Sequence, residues 1–118
     1  MVIITADDYG KMRHATDSIC TCFSKNRITS ASAMVFMEDS ERAATLALQS
    51  SLEVGLHINI TMPFSTAKVS SKLREHPNRV VPYLTTSKLA QVIYNPLLAD
   101  SFKFLYINST EVGNGDSN

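Results

Sequence analysis

Residues 1–61 alternate between short apolar runs and stretches with the spacing of an amphipathic helix, and this alternation restricts the fold more than any other feature. Strands separated by helices of this length pair in parallel, because each helix carries the chain back across the sheet. Val2 to Ala6 reads as a first strand, broken by Gly10. Lys11 to Lys25 then places Met12, Ala15, Ile19 and Cys22/Phe23 on one helical face. Thr29 to Met37 reads as a second strand, with Ala31, Ala33, Val35 and Met37 alternating against Ser30, Ser32, Met34 and Phe36. Asp39 or Ser40 is suited to capping a second helix that has Glu41 in its first turn and runs to about Leu52. A third strand is expected from Glu53 to Thr61. The crossovers are expected to be right-handed.

Beyond Pro63 the character changes. Residues 62–82 are polar, with Lys68, Lys72, Arg74, Arg79 and three prolines, and read as a long loop with a helical turn near Ser71–Glu75. Lys88 to Phe104 has helical character interrupted at Pro96, and 108–118 reads as a disordered polar tail.

Composition narrows the partners. Eleven basic residues balance eleven acidic ones, so charge gives no reason to expect nucleic acid or an anionic membrane. No apolar run approaches the roughly 20 residues of a membrane span. The start of the chain lacks a basic segment and turns acidic at Asp7, unlike a secretory signal. A cytoplasmic location is the expectation. Cys20 and Cys22, two apart on a helix, point in nearly opposite directions and read as buried or half-buried thiols rather than a metal or disulfide pair.

Two segments carry the chemistry. Thr5-Ala6-Asp7-Asp8-Tyr9-Gly10 puts adjacent carboxylates where the first strand ends, the edge at which parallel α/β folds bind ligands. Close carboxylates repel unless a proton or a cation neutralises them. A hard divalent ion with one carboxylate as ligand and the other as general base satisfies that requirement. A solvated acidic cap on the next helix is the plain alternative. The second segment is Gly55-Leu56-His57-Ile58-Asn59-Ile60-Thr61. Alternation puts Val54, Leu56, Ile58 and Ile60 against the helices and Gly55, His57, Asn59 and Thr61 on the other face. A neutral His57 there suits a metal ligand, the alternative being a hydrogen-bonded core histidine. In a barrel, the end of strand one and the late part of strand three look into one mouth. His14, His76, Lys68, Lys72 and Arg74 read as surface residues.

These residues resemble a known family. Ile4-Thr5-Ala6-Asp7-Asp8-Tyr9-Gly10 resembles the opening motif of the YdjC-like carbohydrate deacetylases. Thr29-Ser30-Ala31-Ser32-Ala33-Met34 is similar to that family's second strand, and Gly55 to Thr61 to its third-strand motif. Lys72-Leu73-Arg74-Glu75-His76 and Tyr94-Asn95-Pro96-Leu97-Leu98 resemble later segments of its hopanoid-associated or chitooligosaccharide-deacetylase branch, so the likeness covers about residues 2–104. The resemblance implies a deformed (β/α) barrel that removes acetyl groups from N-acetylated sugars or related glycolipids with a divalent metal. That metal is magnesium by resemblance, with zinc or another transition metal as alternatives. It implies Asp8 and His57 as metal ligands and Asp7 as the general base. Substrate-contacting residues are not identified.

The family pattern continues into a His-x-His segment that supplies a third ligand, and no histidine follows His76. A full barrel takes roughly 250 residues, against 118 here. The expectation is therefore the N-terminal part of the barrel over 1–107, truncated and followed by the 108–118 tail, hydrolysing little on its own. A non-catalytic fragment that binds a partner, a homo-oligomer among the candidates, is the rival from another class. A phosphoacceptor receiver domain fits the length, but strand three ends Asn59-Ile60-Thr61 with no acid.

Overall fold

The computed structural model describes residues 1–59, 62–86, 103, 104, 106–108 and 110. The elements run β1 (Thr5–Tyr9), α1 (Arg13–Ser24), β2 (Ser30–Met34), α2 (Ser40–Ser50), β3 (Glu53–His57) and α3 (Ser71–Thr86). They fall into two units, Met1–His57 and Ile58–Asn118.

In the first unit the three strands pair in parallel in the order β1-β2-β3, leaving β2 central. Ala6, Ala31 and Ala33 pack with Ile19, Cys20 and Phe23 of α1, Ala43 and Ala47 of α2, and Tyr9, Ile28 and Leu52. Both helices therefore cover one face of the sheet. Small residues at Ala31, Ala43 and Ala47 let the layers approach closely, and Tyr9 fills the space they leave. Gly10, with φ +87°, makes the turn out of β1. A Cβ on it would be crowded, 3.2 Å from the Met34 carbonyl and 3.3 Å from Ser40 Cα, and would also have to adopt the left-handed backbone that favours glycine. Sequential parallel strands with both helices on one face are compatible with the N-terminal part of a barrel, and equally with an open sheet.

The first strand differs from expectation. It lies at Thr5–Tyr9, not Val2–Ala6, because pairing with β2 starts at Thr5–Ser30. Val2, Ile3 and Ile4 remain exposed; the burial that holds the strand comes from Ala6 and Tyr9. β2 stops at Met34, before Phe36 turns to φ 61°. β3 stops at His57, after which the Asn59 side chain bonds both backbone groups of Met62, accepting from its N–H at 3.0 Å and donating to its carbonyl at 2.9 Å. That local ring competes with a strand ladder. On the edge strand β3, Val54 is exposed rather than packed under a helix. Cys22 is exposed and Cys20 half-buried, both as free thiols.

In the second unit, residues 71–86 are helical rather than loop. Ser70 caps the helix, its hydroxyl accepting from the Leu73 N–H at 3.3 Å while its carbonyl accepts from Arg74 N–H. Leu73, Pro77 and Val80 are buried at helical spacing. Burial of that face outweighs the bonds lost at Pro77 and Pro82, each a helix breaker on propensity alone. His76 is half-buried, its ring stacked 4.0 Å from that of Phe104, which corrects its reading as a plain surface residue. Asn108 and Thr110, in the segment read as a disordered tail, are helical, with side chains bonded to the carbonyls of Phe104 and Tyr106. The helix expected at 88–104 lies outside the described residues except for 103 and 104, and the rest of the tail lies outside them too.

Candidate active site

The site lies on the sheet face opposite α1 and α2, and a β-bulge creates it. Ala6 pairs with Ala31 and Tyr9 with Ala33, so three steps along β1 oppose two along β2. Asp7 and Asp8 together face Ser32. Simple alternation would send Asp7 and Tyr9 to one face and Asp8 to the other. The extra residue, with Asp8 at φ 68°, returns Tyr9 to the core and leaves both carboxylates on the polar side. Aspartate tolerates this left-handed backbone better than most residues.

Tyr9 locks the arrangement from below. It is fully buried, and its hydroxyl donates to the Ala43 carbonyl at 2.8 Å beside the Cys20 thiol at 3.6 Å. Burial, and then the Cys20 contact, push its pKa well above the ordinary phenol value. It stays a neutral donor.

On the polar face, Thr5 Oγ1 bonds Ser30 Oγ at 2.8 Å, and one step further along Ser32 Oγ donates to Asp7 Oδ1 at 2.6 Å. The β2–β3 register sets Met34 against His57 and Ser32 against Gly55. His57 Nδ1 lies 3.6 Å from Asp8 Oδ1, 3.4 Å from the Asp8 backbone nitrogen and 3.4 Å from Ser32 Oγ. The other Asp8 oxygen is 3.5 Å from Lys11 Nζ. Asp8 is thus brought directly to His57 from 49 residues away, and Asp7 reaches it through Ser32. Asn59 is turned into its own bond with Met62, and Thr61 lies outside the described residues.

Ser32 and Lys11 were not singled out from sequence. The alternation of β2 puts Ser32 on the polar face, but a serine in a strand carries no signal of its own. The partner that gives it meaning is 25 residues away. Lys11 sits in the turn after the bulge and reads as an ordinary helix-start residue.

A divalent cation can be weighed against this donor set. Two ligands each about 2.1 Å from one ion at a tetrahedral angle stand about 3.4 Å apart. Asp8 Oδ1 and His57 Nδ1, at 3.6 Å, fit that spacing. A carboxylate oxygen with an imidazole nitrogen suits magnesium less than zinc or another transition metal. Among the described residues, no group of three His, Cys, Asp or Glu side chains converges as a metal cage.

Away from this face, Arg42 of α2 donates through Nε to both oxygens of Asp39, at 2.9 and 3.1 Å, and through a terminal nitrogen to Asp17 of α1 at 2.7 Å. Those bonds hold the Asp39 carboxyl below its ordinary pKa. The clamp ties the two helices together behind the sheet and takes no part in the polar cluster. Among the described residues, no helix is long and apolar enough to cross a membrane.

Comparison with known proteins places these residues in a family. A carbohydrate deacetylase of Xenopus laevis is 30% identical over 63 residues, a stretch that is 53% of this chain and 20% of the frog protein. The chain therefore spans about a fifth of that relative's length. No solved structure matches. The family model described as YdjC-like protein matches residues 1–93, taking in the bulged Asp7-Asp8 pair, Ser32, His57 and all of α3, and the chain belongs to that family.

Proposed function

We propose that the chain carries part of the active site of a metal-dependent deacetylase acting on N-acetylated sugars, with Asp8 and His57 holding the cation and Asp7 serving as general base. The observation that carries the proposal is the 3.6 Å approach of Asp8 Oδ1 to His57 Nδ1 beside a second, separately anchored carboxylate. The carbohydrate deacetylase name of the frog relative supports the substrate class.

The two carboxylates have different surroundings. Asp8 has one oxygen toward His57 and the other toward Lys11, which orients it as a ligand. Asp7 has one oxygen committed to Ser32, leaving the other to take a proton. When bound, a divalent cation supplies Lewis-acid polarisation of the amide carbonyl and makes water more acidic. Asp7 accepts a proton from the attacking water, whose oxygen forms the new bond to the carbonyl carbon. The C–N bond then breaks, the nitrogen takes up a proton, and acetate and a free amine result. The family resemblance favours magnesium and the carboxylate–imidazole pair favours zinc, so both are tested.

The test is calorimetric titration of magnesium, then zinc, into the full chain. Saturable binding of one ion, weakened more than tenfold in both Asp8→Asn and His57→Ala, is the expected result. Heats no different from buffer for both metals, or binding indifferent to the two substitutions, would count decisively against the assignment.

A further inference from the structure

We infer that Ser32 is the positioning residue for Asp7, an inference that rests on the deacetylase reading above for its catalytic meaning. Asp7 sits in the bulge of an edge strand and is exposed. A carboxylate there has two free side-chain torsions and a weakened backbone ladder. Ser32 lies on β2, the central strand, paired directly with Gly55 of β3 and, through Ala31 and Ala33 on either side, with β1. Its hydroxyl has one proton, and the 2.6 Å contact gives that proton to Asp7 Oδ1, in the range of a strong bond to an ionised carboxylate.

Two consequences follow. The bond commits Oδ1, so Oδ2 is the oxygen left to move a proton, and the rotamer of Asp7 is fixed from the central strand. The Ser32 oxygen, having donated its proton, faces His57 Nδ1 at 3.4 Å with lone pairs alone. One hydroxyl thereby holds the base and borders the histidine. Threonine preserves both features and suits a strand; alanine removes both while remaining small enough for the site.

The experiment compares wild type, Ser32→Ala and Ser32→Thr by the χ1 couplings of Asp7 in NMR, and by acetate release from N-acetylated chitooligosaccharides with magnesium or zinc. Circular dichroism checks that each variant is folded. A single Asp7 rotamer is expected in wild type and in Ser32→Thr, and rotamer averaging in Ser32→Ala. Whatever acetate the partial site releases is expected to fall about 10- to 100-fold in Ser32→Ala, as for loss of other supporting bonds at such sites, with Ser32→Thr recovering most of it. Averaging of Asp7 in wild type, or an unchanged rotamer in Ser32→Ala, would overturn the inference. A wild-type chain that releases no acetate and binds neither magnesium nor zinc, while Asp7 still depends on Ser32, would sink the deacetylase reading and leave the positioning role standing.

Discussion

Asp8 carries two demands at once, a carboxylate aimed at His57 and a backbone at φ 68°. A left-handed backbone costs an ordinary L-residue about 1–2 kcal/mol, and asparagine, like aspartate, is among the side chains that best tolerate it. Asp8→Asn is therefore expected to unfold in urea near the wild-type midpoint, while Asp8→Ala is less stable by about 1 kcal/mol. Equal midpoints for the two variants would show that the bulge does not hold this residue left-handed. Below it, Tyr9→Phe removes the donor to the buried Ala43 carbonyl and is expected to cost about 1–2 kcal/mol, read from the same urea curves. A Tyr9→Phe midpoint equal to wild type would mean that the hydroxyl adds nothing to packing. At this scale the sequence was only partly legible. The acidic pair and His57 stood out because charge and imidazole at strand ends are rare and chemically loaded. The bulge did not, because a single extra residue leaves no composition signal. Its cause is that Tyr9, not the acidic pair, needs the core.

Elements were legible where side chains alternate against a common core. The order strand, helix, strand, helix, strand in the first unit matches the expected one because Ala6, Ala31, Ala33 and the apolar faces of α1 and α2 share one cluster. Helix α3 was misread because proline outranks pattern in a sequence reading, whereas Leu73, Pro77 and Val80 are buried together in the folded chain. The α1–α2 clamp was invisible, since Arg42 meets Asp17 only after both helices are in place. It has a measurable consequence. The Asp39 pKa is lowered in the folded chain, first by its bonds from Arg42. A depressed carboxyl contributes stability that is full above its unfolded value, near 3.8, and is lost as pH falls through its lower folded value. Stability is thus expected to decline below about pH 4, and Asp39→Asn to be less stable at pH 6 with a shallower decline in acid. Parallel wild-type and Asp39→Asn curves between pH 2 and 6 would show that this carboxyl is not coupled to folding.

At the scale of the whole molecule, the proposed ligands sit at opposite ends of the first unit's sequence, on its two outer strands. An ion held by Asp8 and His57 would close β1 onto β3 across the central strand, so binding and folding of that unit are one equilibrium. Anything that binds only the native state raises its stability by mass action, about 2.7 kcal/mol at a hundred times the dissociation constant. For a cooperative unit of this size, each kcal/mol moves the melting temperature by about 4–8 °C. A melt followed by circular dichroism should therefore rise with added magnesium or zinc by several degrees or more as the site saturates. The rise should disappear in His57→Ala and in Asp8→Asn, and should persist in Ser32→Ala, whose hydroxyl is not a ligand in this scheme. A rise that survives loss of His57 would place the ion elsewhere on the chain. A rise lost in Ser32→Ala as well would make the serine part of the cation site and not only the anchor of the base. The order in which the three substitutions abolish the shift thus separates ligand from support, using folding itself as the readout and requiring no turnover.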